Sequence, residues 1–200
     1  MNTELLEELW RSWAERGAEF TAAQWATPTR LPGWSVRALF AHVAPDATVL
    51  KAMREAPVPD GHTVTSGAEI LRIFNSPGEI AQTAADEIEE AARKAAETMD
   101  IDELLRRFDT DGLAELDAVR PGDVLAHPIL GRVTYRAFAE VAVVDVTVHL
   151  LDLIAAVGGS PVPEPALRLT REILAAVPDP VEFIEAATGR SKVAVLPVMR

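Results

Sequence analysis

A chain of 200 residues is long enough to bury a real core yet fits within one domain, and its wealth of Ala, Leu, Glu and Arg with few β-branched runs favours an all-α fold. The formal net charge of −12, with no Lys/Arg stripe interleaved with aromatics, argues against a nucleic-acid partner. The absence of cysteine excludes disulfides, thiolate zinc sites and a cysteine nucleophile, so any thiol chemistry needs a thiol from outside.

The opening MNTELLEELWRSW is acidic and amphipathic, without the basic start and apolar stretch of a signal peptide, and a cytoplasmic protein is expected. Leu6, Trp10, Trp13 and Phe20 recur at helical spacing and predict a first helix over 3–23. The prolines and glycine of TPTRLPGW stop it, and Ser35 then caps a second helix over about 36–55 that carries His42. A Pro/Gly-rich loop spans 56–65. Ser66 with Glu69, and then Ser76, Pro77 and Glu79, announce a third helix to about Thr98, bent or split at 75–78. Asp100 and Glu103 predict a short helix to about Phe108, and the stretch from there to Arg132 has a loop-like character. A fourth long helix starts near Thr134 and stops at Gly158 and Gly159. Pro165 opens a fifth to about Val177, Asp179, Pro180 and Glu182 cap a sixth that ends at Gly189, and KVAVLPV reads as one short strand. With no repeat and no shift of composition, the chain reads as one domain over 1–200, a bundle over 1–158 with a C-terminal extension over 161–200 packed on it.

The longest apolar run, 141–157, carries Asp145, His149 and Asp152; acids at that depth are costly in lipid, so it reads as a buried core helix and no membrane partner is expected. Their i, i+4, i+7 spacing sets all three in one narrow stripe. The D-x-x-x-H pair can present a carboxylate oxygen and a ring nitrogen to one ion, with a third ligand from another helix. His42 is the best candidate for it, because Val36, Leu39, Phe40 and Val43 around it mark a buried face. From spacing alone a second reading is equally open, in which Asp145 and His149 form a buried hydrogen-bonded pair and His42 merely packs. Asp152 is a candidate to accept from the His149 ring or, structurally, to bond a neighbouring helix end. Asp46, one turn past His42, reads as a partly solvated acid outside the ligand set. Trp34 is expected to plug the corner before the second helix and Arg37 to face water, although either can border the pocket. His62 and His127 read as surface-loop residues able to line its mouth.

Taken in order, PTRLPGWSVRALFAHVA, D-x-x-x-H-L-L-D-L-x-x-A-x-G and the late T-G-R resemble the mycothiol-dependent maleylpyruvate isomerase family. The resemblance spans most of the chain and implies a DinB-like four-helix bundle. It also implies a metal, usually zinc, held by His, Glu and His, and His42, Asp145 and His149 fall on those positions. Asp145 departs from the usual Glu by one methylene, and HLLD departs from relatives with Trp before the Asp.

What the resemblance implies about activity is a metal-dependent enzyme with mycothiol as cosubstrate, acting on a small electrophile by S-transfer or by thiol-assisted cis-trans isomerisation. A homodimer is left open as the assembly. Two alternatives stand beside it: a metal-dependent hydrolase using water in place of thiol, and a metal-binding bundle that binds a ligand or partner without catalysis.

Overall fold

The computed structural model describes residues 2–75, 80–120 and 122–190. Helix α1 (Asn2–Ala18) is shorter than expected, because Thr21 and Gln24 form a capping box of their own. Thr21 Oγ1 accepts from the Gln24 N–H at 3.3 Å and Gln24 Oε1 from the Thr21 N–H at 3.0 Å, which starts the separate turn α2 (Ala22–Trp25).

The expected second helix is also divided, into α3 (Val36–Val43) and α4 (Ala47–Glu55). Pro45 lacks an N–H and pushes the residue before it out of the helical region, so Ala44 takes ψ 124°. Asp46 is consequently no helical neighbour of His42: its Oδ1 caps α4 by accepting from the Thr48 and Val49 N–H groups. His42 itself lies in the last turn of α3 rather than mid-helix.

Strand β1 (Thr63–Val64) leads to α5 (Gly67–Phe74), where Ser66 Oγ accepts from the Glu69 N–H as the sequence suggests. Gly67 is required there by close approach, since a Cβ would stand 2.8 Å from that of Glu140, whose carboxylate accepts from the Gly67 N–H. The predicted cap at Ser76, Pro77 and Glu79 lies outside the described residues; α6 (Ile80–Thr98) follows.

Much of the stretch expected to be loop-like carries regular structure instead. Capped by Asp100 as predicted, α7 (Ile101–Arg106) runs through one wide π turn, Arg107–Asp111, into α8 (Gly112–Asp117), with Phe108 and Leu116 buried. Then β2 (Val124–His127) and β3 (Gly131–Thr134) form an antiparallel hairpin, and β1 joins β3 in parallel. Leu125 and Val133 face each other across this hairpin and are buried, an alternation short enough to be overlooked beside helix-length patterns.

Helix α9 (Tyr135–Val157), capped by Thr134, ends where expected, at Gly158 with φ 77°. Its apolar circumference is explained by its place: α1, α3, α5 and α10 (Glu164–Ala175) all pack on it, and α6 lies against α3. Helix α11 (Pro180–Ala187) is capped by Asp179, and the strand expected in KVAVLPV lies outside the described residues. Among the described residues the result is a mostly helical bundle with a small three-stranded sheet, consistent with the DinB-like bundle that the resemblance implies. Among the described residues three helices are long, while α3 and α4 together stand where a fourth was expected. Trp13, Trp25, Phe40 and Phe108 pack edge-on or stacked in its core, with the Trp13 and Phe40 centroids 4.6 Å apart. No helix among the described residues is long and apolar enough to cross a membrane.

Candidate metal centre

Val36, Leu39, Phe40 and Val43 bury one face of α3 and seat it on α9, which brings His42 to the stripe formed by Asp145 and His149. The two imidazoles stand 4.9 Å apart and nearly perpendicular. His149 Nε2 is 3.5 Å and His42 Nε2 3.8 Å from Asp145 Oδ1, and one donor atom from each residue lies within 4.8 Å of the other two.

These separations are long for hydrogen bonds. His149 instead makes its hydrogen bond through Nδ1, to Asp152 Oδ2 at 2.9 Å, so the alternative of a directly bonded Asp145–His149 pair does not describe the geometry. Three donors about 2.1 Å from one ion would stand about 3.4 Å apart. The His149–Asp145 spacing of 3.5 Å already meets that figure, and the His42–Asp145 spacing of 3.8 Å exceeds it. Two imidazole nitrogens and a carboxylate oxygen, with a second carboxylate on the far nitrogen of one ring, suit a divalent cation.

The electrostatics point the same way. Desolvation opposes ionisation of Asp145, but His42 and His149 outweigh it and hold the carboxyl below its usual range. Burial pushes the His149 imidazole down, yet the hydrogen bond to Asp152 and the charges of both aspartates more than reverse this and raise it. Asp152, almost wholly buried, is likewise held low against desolvation by His149 and Arg30. Positive charge is therefore favoured at the cluster.

Asp152 accepts from the His149 ring, the first of the two roles the sequence offered; instead of a neighbouring helix end it also accepts from the Arg30 guanidinium, which ties the loop before α3 to α9. Arg30 is the member sequence reasoning missed; its only signal is its place in TPTRLPGW. Arg37, considered for the pocket, instead donates to the Met99 carbonyl and so links α3 to the end of α6. Trp34 is more than a corner plug: its ring meets that of His42 edge-on at 5.1 Å and lies parallel to that of His149 at 6.4 Å.

His62 pairs with Glu69 at 2.7 Å, out on the surface. His127 lines a cavity of about 380 Å³ that reaches the donor cluster at Asp145. Its Nδ1 accepts from the Ile129 and Leu130 N–H groups, both at 3.1 Å, so the ring proton sits on Nε2, and burial holds its pKa below the usual histidine value.

Residues 6–154 match a family model described as mycothiol maleylpyruvate isomerase N-terminal domain. No curated protein and no solved structure matches the chain.

Proposed function

Because the chain belongs to the mycothiol maleylpyruvate isomerase N-terminal domain family, we propose that it uses mycothiol as cosubstrate on a small electrophile and holds one divalent metal, zinc by its donor set, through His42, Asp145 and His149. The observation that carries the metal part is the convergence of those three donors within 4.8 Å, with Asp152 bonded to the outward nitrogen of His149. Two histidines and one carboxylate form the ligand set of catalytic zinc sites that keep a position open. Bound there, the ion supplies Lewis acidity that lowers the pKa of a coordinated thiol and favours its thiolate.

The chain's own residues hold that arrangement. Asp152 accepts the Nδ1 proton of His149 and leaves the Nε2 lone pair for the cluster, while Arg30 holds Asp152 in place. Trp34 restricts both imidazole planes. With no cysteine in the chain, the sulfur nucleophile has to be the cosubstrate's. A thiol adding across a cis double bond places sulfur on one carbon and a proton on the other; rotation and loss of the same thiol then yield the trans isomer. An electrophile with a leaving group keeps the sulfur.

The test is turnover by metal-loaded protein with and without mycothiol, alongside elemental analysis and a calorimetric thiol titration. About one metal per chain and a rate that requires thiol are expected. A rate independent of thiol would replace this reading with a hydrolase, and bound metal without thiol affinity would replace it with a non-catalytic binding bundle.

A further inference from the structure

The cavity that meets the cluster at Asp145 lies among α4, α5, β2 and α9 and is walled by side chains such as Leu50, Met53, Ile70, Phe74 and Phe138. Among the described residues no lysine or arginine lines it, and its ionisable members are Asp46, His127 and Asp145. Asp46 is committed to the cap of α4. His127 spends Nδ1 on two backbone N–H groups, which leaves Nε2–H as its donor, and among the described residues no hydrogen bond takes that proton.

A carboxylate entering here would lose its water to an apolar wall, and among the described residues the cations nearest the cavity's acids are already engaged, Arg107 by Asp46 and the His42 and His149 imidazoles by Asp145. The proposed ion does not repair this, since a divalent charge that holds the Asp145 carboxylate and a thiolate is neutralised by them. An uncharged molecule with one accepting oxygen has the opposite balance: its apolar body is buried and its oxygen can take the His127 proton.

We propose that the cavity selects an uncharged, largely apolar electrophile carrying a hydrogen-bond-accepting oxygen, with His127 as the donor to it, and that it disfavours dianions such as a cis-enedioate. This rests on the thiol-transfer reading above for the word electrophile, and on the cavity alone for the ligand class.

The test is calorimetric titration of the metal-loaded protein with three unreactive probes of similar size: α-tetralone, tetralin, which lacks the oxygen, and naphthoate, which carries a charge. α-Tetralone should bind about tenfold tighter than tetralin, the size of one hydrogen bond, and about a hundredfold tighter than naphthoate. Val49 lines the cavity at its rim and is 48% exposed, so Val49→Lys should leave the fold intact. That variant should raise naphthoate affinity about tenfold while leaving α-tetralone nearly unchanged. Naphthoate binding as tightly as α-tetralone, or indifference of naphthoate to Val49→Lys, overturns the assignment.

A second arm separates this inference from the reaction. α-Tetralone binding without thiol-dependent turnover of naphthoquinone overturns the reaction and leaves the ligand class standing. Thiol-dependent turnover of maleylpyruvate without α-tetralone binding overturns the ligand class and leaves the reaction.

Discussion

His149 turns one ring nitrogen to Asp152 and the other to the donor cluster, and its orientation depends on an ion pair between residues 122 positions apart, Arg30 and Asp152. In Arg30→Ala the buried Asp152 keeps, among the described residues, only His149 as a charged partner, and the ring is held less firmly. Loss of such a supporting partner typically weakens metal binding about tenfold or more. Competition against a chromophoric chelator should show that loss in Arg30→Ala, with helicity by circular dichroism unchanged; equal affinity would mean that Asp152 is held without Arg30. The Asp145, His149 and Asp152 stripe was legible because i, i+4, i+7 is a local periodicity. Arg30 was not, because nothing local to TPTRLPGW records which helix the loop will lie on.

Among the elements, the β2–β3 hairpin is tied to the protonation of one residue. His127 Nδ1 must accept from the Ile129 and Leu130 N–H groups, and a protonated imidazole offers only donors. Burial lowers the His127 pKa in the folded protein, so below about pH 6.5 the unfolded chain takes up the proton first. Stability from this residue is therefore intact above that pH, falls as pH drops below it, and levels off once the folded form also protonates. Amide exchange at Ile129 and Leu130, corrected for its intrinsic pH dependence, should accelerate selectively as pH falls through this window. Uniform behaviour across the hairpin would show that the His127 ring does not hold the turn. The hairpin escaped sequence reading because its strands are four residues each and their turn lacks a strong two-residue signal. The break at Pro45 was legible in principle from Pro45-Asp46, a breaker followed by a cap, but the apolar spacing on both sides suggested one continuous helix.

For the molecule as a whole, a cation joining α3 to α9 would favour the folded chain by mass action, because the unfolded chain does not assemble the site. Zinc at about a hundredfold excess over its Kd should add about 2.7 kcal/mol to the unfolding free energy. A urea titration with and without metal should show the gain in wild type, and it should be largely lost in His149→Ala, where helicity persists because Ala is a good helix former. It should also shrink as pH falls and the imidazoles take up protons. An equal gain in both proteins would place the ion elsewhere.

The sequence by itself determined the mostly helical architecture, the caps at Ser35, Asp100 and Asp179, the start of α9 near Thr134 and its stop at Gly158, and the facing of Asp145 and His149. Each of these follows from hydrogen bonds and periodicity within a few residues. Only the tertiary structure decided that α3 brings His42 to within 3.8 Å of Asp145, that Arg30 reaches Asp152, and that Asp46 serves a cap. It also decided that an apolar cavity opens beside the donors. Those features come from packing faces of elements far apart in the chain, where side-chain volumes at the contact choose the partner and no local pattern encodes the outcome.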